Sequence, residues 1–176
     1  MMSMKILLAT PSDLEQVWAL RLKATAFLAS QHVDQWQFED PTIEDFKADI
    51  LKEELYICKE NDVIIGMFAL KFEIEPTYQH IDGLWHYDLP YATIHRLALD
   101  PLYQKRGLGY EMLTYAEAIA KKRGIFYMRI DTHEQNLNAQ RLFIKIGYVY
   151  CGTIMLTIKR GERLRLAYDK LLEETK

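Results

Sequence analysis

The sequence predicts an α/β fold in which helices cover the faces of one mixed β-sheet. Three observations support this prediction: short apolar runs alternate with helical patterns, a strand leads through a glycine turn into a long helix, and two strand-like runs close the chain. Such alternation is typical of layered α/β domains. The 176 residues suit one compact core, so we predict a single domain over 1–176.

The first half of the chain predicts a strand, two helices and a hairpin. Residues 5–9 form an apolar strand-like run, and residues 11–13 are a typical helix start, after which apolar residues recur at helical spacing. A second helix is predicted over 45–53. Two apolar runs at 55–58 and 63–72 flank a turn and predict the hairpin.

The second half of the chain predicts strands that alternate with two helices before a closing hairpin. Glycines end both helices. The predicted order for the whole chain is β-α-α-β-β-β-α-β-α-β-β. Two stretches, 31–41 and 75–90, show no regular pattern. The predicted elements are a strand at 93–99, a helix at 107–123, a strand at 125–132, a short helix at 136–147, and hairpin strands at 148–158 and 164–168.

The bulk composition excludes several classes of protein. The formal net charge is −3, so nothing suggests a nucleic-acid or anionic-membrane partner. Cys58 and Cys151 are too few for a disulfide scaffold, which favours a reducing cytoplasm. No signal peptide or membrane-spanning run is found. The five histidines never take a metal-ligand spacing within one element, so we predict no metal.

The segment LALDPLYQKRGLGYEML, residues 97–113, contains a glycine turn that leads into the long helix. Such a turn presents free backbone N–H groups and the positive end of the helix dipole, for which phosphate is the natural ligand. Lys105 and Arg106 add positive charge beside it, and Arg106 can bind two phosphate oxygens at once. The alternative interpretation is a helix cap whose glycines serve only tight packing.

Three phosphate ligands can be compared at this turn. A P-loop requires G-x-x-x-x-G-K-[ST], which is absent. A dinucleotide fingerprint requires glycine where Met112 stands. Asp131 lies at a suitable distance for a ribose contact, but only about forty-five residues follow it, too few for the rest of a dinucleotide-binding fold. The third candidate is the pyrophosphate of coenzyme A.

Two motifs lie in register around this turn. QKRGLG at 104–109 follows LALDP at 97–101, and NxxAxxLFxxxGY runs from Asn136 to Tyr148. The first resembles the Q/R-x-x-G-x-G/A motif and its preceding strand end in the GNAT superfamily of N-acetyltransferases, and the second resembles that family's N-x-x-A-x-x-L-Y-x-x-x-G-F. The resemblance covers residues 93–152, and the runs at 94–97 and 129–133 resemble a bacterial subgroup of the same superfamily.

The resemblance implies a GNAT-like fold with acetyl-CoA as cosubstrate. The pyrophosphate would lie on backbone N–H groups of the glycine turn, and the backbone of the preceding strand would pair with the pantetheine arm. The thioester would then lie between this strand and the strand at 125–132. The residues implied to bind the cofactor are Leu97, Ala98, Leu99, Gln104, Lys105, Arg106, Gly107, Leu108, Gly109, Asn136 and Phe143.

Acetyl transfer to an ammonium group requires a base, because only the neutral amine has the attacking lone pair. His95 is the first candidate, since it lies on the strand that leads into the cofactor motif and an imidazole with the ordinary pKa of about 6.5 works near neutrality. The alternative is a structural histidine whose ring nitrogens find hydrogen-bond partners within the sheet. Arg96 follows His95, so a regular strand points only one of the two into the cleft, unless a bulge intervenes. Further candidate bases on neighbouring strands are Asp131, His133, Glu73 and Glu75.

The departing thiolate needs a proton, and here the chain departs from the family pattern. The second motif often has a tyrosine after its leucine, whereas this chain has Phe143, which carries no proton. The substitution leaves cofactor binding intact and puts the acid role in doubt. Tyr148 and Tyr150 are the nearest tyrosines in sequence, and we predict Tyr148 as the acid.

The two irregular stretches are rich in acids and aromatic residues, which both favour a cation. We therefore predict that Trp36, Trp85 and Arg96 contact the acceptor. The alternative is that the tryptophans fill the edge of the core.

These observations predict a cytoplasmic N-acetyltransferase that uses acetyl-CoA. The amine of a small cationic acceptor would attack the thioester directly. A protein N-terminal or lysine acetyltransferase is an alternative that an open peptide groove would favour. A non-catalytic acyl-CoA-binding sensor is a second alternative, to which Phe143 points. We expect no nucleic-acid or membrane partner, and the sequence is compatible with a homodimer.

Overall fold

A computed structural model describes residues 4–174, and within them four α-helices pack on one eight-stranded mixed sheet. The predicted α/β class is thereby confirmed; the predicted single domain reaches past the described residues at both ends. No helix within 4–174 combines the length and apolarity needed to cross a bilayer. The elements are β1 Met4–Leu8, α1 Leu14–Ser30, α2 Ile43–Leu51, β2 Leu55–Glu60, β3 Val63–Lys71, β4 Asp82–Gly83, β5 Ala92–Leu99, α3 Leu108–Lys122, β6 Tyr127–Thr132, α4 Leu137–Ile146, β7 Val149–Met155 and β8 Leu164–Leu171.

Several elements differ from the sequence prediction. The short strand β4 and a 3₁₀ turn at Pro76–Gln79 lie inside the stretch 75–90, which was predicted to be irregular. Helix α2 begins two residues earlier than predicted, because Thr42 and Asp45 form a reciprocal capping box. The predicted helix began at Asp45, which is the third helical residue and part of the cap.

The strand order in the sheet is β1-β2-β3-β5-β6-β8-β7-β4. All neighbouring strands are antiparallel except β5 and β6, which are parallel and pair only from Ala92 and Met128 to Ile94 and Ile130. Beyond Ile94 the two strands separate, although β5 continues to Leu99. This separation opens a gap in the middle of the sheet.

A β-bulge in β5 coincides with the point of separation. Residues 96 and 97 lie opposite the single residue Phe68 of β3, because the register shifts between Met67 and Ala69. Arg96 has a φ of +56°, which is rare for a residue with a side chain. The bulge breaks the alternation of side chains, so His95 and Arg96 need not face opposite sides of the sheet.

The helices cover the two faces of the sheet in pairs. Helices α1 and α2 bury Val17, Leu20, Phe46 and Ile50 against one face, and α3 and α4 pack on the other. A smaller apolar cluster lies beside β7 and β8 and contains Tyr78, Ile154 and Ala167, with Trp85 packed against it. The gap between β5 and β6 therefore has helices on both sides.

Candidate functional site

Two adjacent chambers lie along the gap in the sheet. The larger chamber has a volume of about 430 Å³ and the smaller about 240 Å³. The two share a wall that consists of Gln35, Trp36, Leu97, Asn136 and Ala139. The smaller chamber ends at the glycine turn, and the larger one contains His95. The glycine turn and the histidine thus line neighbouring chambers.

The glycine turn lines the smaller chamber as predicted from the sequence. Gly107 caps α3 in the left-handed conformation, with a φ of +76°, and a Cβ added to it would meet nothing within 4 Å. The first-turn N–H groups of α3 have no acceptor within the helix, so they are available to an anion. Gly109 serves packing instead, because a Cβ there would lie 2.9 Å from Cδ2 of Leu142. The turn residues on the chamber wall are Gln104, Lys105, Gly107, Leu108 and Gly109.

The side chain of Arg106 differs from the prediction. Its Nη2 lies 3.0 Å from Oε1 of Glu60, and its guanidinium lies over the ring of Tyr103. Arg106 does not line the smaller chamber. Its charge is therefore paired at the end of β2, and of the basic pair Lys105 alone contacts the chamber.

The strand edge and the N-terminus of α4 complete the smaller chamber. Leu97, Ala98 and Leu99 line it beyond the last β5–β6 pair, so the edge of β5 that faces β6 is left unpaired there. Asn136 caps α4 by accepting a hydrogen bond from the N–H of Ala139, at 3.2 Å. Its Nδ2 donates to Oε1 of Gln35 at 2.9 Å, so the predicted cofactor contact of Asn136 would compete with this bond.

Phe143 forms part of the wall of the larger chamber. The residue is 2% exposed and packs against the rings of Tyr148 and Tyr168. Tyr148 lies behind it: its hydroxyl donates to Oε2 of Glu117 at 3.3 Å, and burial raises the pKa of Tyr148 well above its ordinary value. Tyr148 lines neither chamber. The structure therefore does not bring the predicted acid into the cleft.

His95 faces the larger chamber and is paired with Glu75. Nε2 of His95 lies 3.3 Å from Oε2 of Glu75, which is close enough for an ion pair, but the geometry does not make a hydrogen bond. The contact with His95 lowers the pKa of Glu75 to about 2, against the opposing effect of burial. The N–H and hydroxyl of Thr77 also donate to Oε1 of Glu75. A positioned carboxylate thus stands beside a partly buried imidazole.

The other predicted bases occupy different positions. Asp131 lines the larger chamber, where its Oδ2 accepts a hydrogen bond from the hydroxyl of buried Tyr78 at 2.6 Å. His133 is fully buried and its Nε2 contacts Glu162 instead of the chamber. Arg96 lies at the chamber wall, but its Nε is held 3.0 Å from Oδ2 of buried Asp49.

The two tryptophans predicted to contact the acceptor lie in different surroundings. Trp36 lines both chambers. Trp85 does not: its indole N–H donates to the carbonyl of Tyr78, and the guanidinium of Arg129 lies 4.2 Å from its ring centre. Trp85 thus fills the edge of the core, which is the alternative that the sequence left open.

Two loops meet over the larger chamber in a way that the sequence did not indicate. We call residues 31–41 and 156–163 together the arch. Oδ2 of Asp40 accepts a hydrogen bond from the N–H of Lys159, and Oδ2 of Asp34 accepts one from the N–H of Glu162. Arg160 lies over the ring of Phe38 and pairs with Glu39 at 2.9 Å. Both halves of the arch line the chamber that contains His95.

Arg21 of α1 holds one half of the arch in place. The residue is 3% exposed, and burial lowers the pKa of its guanidinium. Its nitrogens donate to four backbone carbonyls of the arch, and the group stacks near the rings of Trp18 and Trp36. The accepting carbonyls belong to Trp36, Phe38, Asp40 and Pro41.

We expect Arg21→Met to lower the free energy of unfolding by about 3–5 kcal/mol, because several buried carbonyls lose their donor at once. Denaturation in urea measures the change. Arg160→Met is the matched control: this exposed arginine contacts the same loop through a surface ion pair, so its loss should move the midpoint little. Equal midpoints for the two variants would contradict the role assigned to Arg21.

Comparison with known proteins gives one family. The model of the Acetyltransferase (GNAT) family matches residues 21–148. A GNAT-family acetyltransferase from Streptococcus agalactiae 2603 is 33% identical over 97% of this chain and 96% of that chain, with a TM-score of 0.84. No protein matches in a search of curated sequences.

More distant structures share the fold. PaiA N-acetyltransferase from Thermoplasma acidophilum, solved in complex with coenzyme A, is 20% identical, with a TM-score of 0.72 over 97% of this chain and 99% of that chain. The ribosomal-protein-S18-alanine N-acetyltransferase from Escherichia coli is 16% identical, with a TM-score of 0.70 over 99% and 97%.

Proposed function

The chain belongs to the GNAT acetyltransferase family, and from this premise we propose that it transfers an acetyl group from acetyl-CoA to the amine of a small cationic acceptor by direct attack. The observation that carries the proposal is the pair of adjacent chambers, one lined by the glycine turn and the other by His95, that share a wall. Acetyl-CoA is the cosubstrate typical of the family.

The smaller chamber suits the cofactor. Its turn offers N–H groups and Lys105 to the pyrophosphate, and the unpaired edge of β5 offers backbone groups to the amides of the pantetheine arm. An arm that follows this edge would place its thioester at the shared wall, near Leu97 and Asn136. The acetyl group then enters the larger chamber.

The chemistry in the larger chamber begins with a proton. His95 takes a proton from the acceptor ammonium, and Glu75 stabilises the imidazolium that forms. The neutral nitrogen attacks the carbonyl carbon of the thioester, a C–N bond forms, and the C–S bond breaks with the electron pair on sulfur. The nitrogen gives its second proton to water as the amide forms. Backbone N–H groups beside β5 can stabilise the negative charge on the carbonyl oxygen.

The thiolate leaves without help from a tyrosine in this proposal. Among the described residues that line the larger chamber there is no tyrosine, and Phe143 occupies the family's tyrosine position. The pKa of a CoA thiol is similar to that of free cysteine, about 8.5, so the thiolate can depart near neutrality and take its proton from water.

The arch favours a small acceptor over a protein. Its two loops line the chamber and are bonded to each other, an arrangement that favours a compact acceptor over an extended peptide. The chamber wall carries five carboxylates against three arginines, Arg96, Arg160 and Arg165, together with Trp36. The excess of carboxylates and the aromatic ring favour a cation. These carboxylates belong to Asp34, Asp40, Asp45, Glu75 and Asp131.

Thermal shift and a panel of amines test the proposal. We expect acetyl-CoA at a hundredfold excess over its Kd to stabilise the protein by about 2.7 kcal/mol, which raises the Tm by about 5–10 °C for a chain of this size. Small polyamines and aminoalkyl compounds should then release CoA thiol, whereas peptides with free N-termini should not.

The outcomes separate the competing functions. A shift without turnover on any amine would favour the acyl-CoA-binding sensor. Turnover on peptides would favour a protein acetyltransferase and would require the arch to open. The absence of a shift at millimolar acetyl-CoA would reject the cofactor assignment.

A further inference from the structure

A cluster of metal-ligating side chains lies outside the cleft, where β7, β8 and the loop after β4 meet. Nδ1 of His86 lies 2.7 Å from Oδ1 of Asp169 and 3.4 Å from Sγ of Cys151. One ligand atom from each of the three residues lies within 4.8 Å of the other two. Cys151 and Asp169 are buried, whereas 43% of the His86 side chain is exposed, so the cluster is open to solvent on one side.

Two close strands bring these residues together. Gly83 of β4 pairs with Gly152 of β7, and each has a positive φ. A Cβ on Gly83 would lie 2.2 Å from the carbonyl oxygen of Cys151, so the approach requires glycine. This contact places His86, three residues after Gly83, against Cys151.

The geometry does not suit a nucleophilic relay. In a Cys–His–Asp relay the thiol and the carboxylate contact different ring nitrogens, so that a proton can pass across the ring. Here Sγ of Cys151 and Oδ1 of Asp169 both approach Nδ1 of His86. A single proton on that nitrogen serves only one of them, whereas a cation among the three atoms would be bound by all.

We propose that His86, Cys151 and Asp169 bind Zn²⁺ or a similar borderline-soft divalent ion, with water as the fourth ligand. Sulfur, imidazole nitrogen and carboxylate oxygen are all zinc ligands, and sulfur argues against Mg²⁺ and Ca²⁺. Bond lengths of about 2.0–2.3 Å imply ligand atoms about 3.3–3.6 Å apart in a tetrahedral site. The observed 2.7 Å and 3.4 Å require only a small displacement of His86, which lies on a loop.

The surroundings of Asp169 support this assignment. Its Oδ2 accepts hydrogen bonds from the hydroxyl of Tyr127 at 2.6 Å and from the backbone N–H of His86 at 2.8 Å. These bonds orient the carboxylate and leave Oδ1 directed at the other two ligands, as outer-shell partners do in zinc sites. The sequence pattern did not predict the site, because its ligands come from three separate elements.

The ion would tie a loop to the sheet. Arg129 already holds this loop through the carbonyl of Tyr87 at 3.1 Å and through the ring of Trp85. Metal binding should therefore add stability to a protein that is already folded. The role is structural and independent of acetyl transfer, since none of the three ligands lines the cleft.

Titration of the metal-free, tag-free protein with Co²⁺ tests the proposal. We expect saturation at one ion per chain, with visible ligand-field bands and a thiolate-to-cobalt charge-transfer band that excess Zn²⁺ removes. Cys151→Ala should lose the charge-transfer band, and His86→Ala should weaken binding at least about tenfold. Cys58→Ala is the matched control, because Cys58 is the other buried free cysteine and should leave the titration unchanged.

Three results would overturn the proposal: no saturable binding of Co²⁺ or Zn²⁺, an unchanged spectrum in Cys151→Ala, or the loss of the bands in Cys58→Ala. Thermal melting of each apo variant shows whether it is folded. If the buried Cys151→Ala substitution unfolds the chain, His86→Ala decides the question, because His86 is on the surface. A failed metal titration would leave the acetyltransferase proposal intact. Likewise, a failure to bind or use acetyl-CoA would leave the metal site intact.

Discussion

Gly107→Glu should abolish acetyl-CoA binding and leave the protein folded. Gly107 has a φ of +76° at the N-terminus of α3, and a Cβ there enters open space in the smaller chamber. A glutamate would direct its carboxylate to the N–H groups that we assign to the pyrophosphate, and would repel the phosphates. Thermal shift should fall from several degrees to zero, and isothermal titration should show at least a hundredfold loss of affinity.

Gly124→Glu is the matched control for this substitution. Gly124 lies just past the other end of the same helix, with a φ of +77° and nothing within 4 Å of an added Cβ. Both variants therefore incur the same left-handed backbone strain, about 1–2 kcal/mol. Gly124→Glu should keep the acetyl-CoA shift. If both variants lose it, the effect comes from the helix and not from the phosphate site; if neither does, the turn does not hold the pyrophosphate.

The cofactor half of the cleft could be predicted because its residues are consecutive in sequence. The turn from Gln104 to Gly109 forms its chamber wall locally, by a positive φ and a helix N-terminus. Arg106 is the exception, since its partner Glu60 lies 46 residues away on β2. No short-range pattern in the sequence indicates a contact between residues so far apart.

The acceptor half could be predicted only in part, because distant segments build it. The bonds that close the arch join residues more than a hundred positions apart, such as Asp40 and Lys159. Trp36 and Trp85 both lie in stretches rich in acids and aromatic residues, yet only Trp36 lines the cleft. Trp85 packs at a tilt against Tyr78 and donates to its carbonyl instead. Tyr148 follows Gly147, where the chain turns away from the cleft and directs the ring into the core.

His95→Ala should reduce kcat by about 10²–10⁴-fold, the usual contribution of a general base, with the Kd of acetyl-CoA near that of the unchanged protein. His95 lines the larger chamber. Its Nε2 is buried beside Oε2 of Glu75, 3.3 Å away, so Nδ1 is the nitrogen that would take the proton of the acceptor, directly or through water. Stopped-flow and steady-state assays with the best amine of the panel measure both quantities. The rate of the variant should also lose the decline toward acid pH that protonation of a histidine base imposes.

Glu75→Gln and His80→Ala distinguish the base from its surroundings. Glu75 is a positioning residue in this mechanism: the variant keeps its size but cannot stabilise the imidazolium, so kcat should fall less than in His95→Ala and acetyl-CoA affinity should not change. The exposed His80 lies at the end of the same 3₁₀ turn, and its substitution should change neither kcat nor the affinity for acetyl-CoA.

The low pKa of Glu75, about 2, adds stability that is present above its ordinary pKa of 4.5 and is lost as the pH falls toward 2. Glu75→Gln should therefore flatten the acid limb of the unfolding curve. Full activity of His95→Ala on the best amine, together with an unchanged pH profile, would assign the proton transfer to another group, with Asp131 as the next to replace.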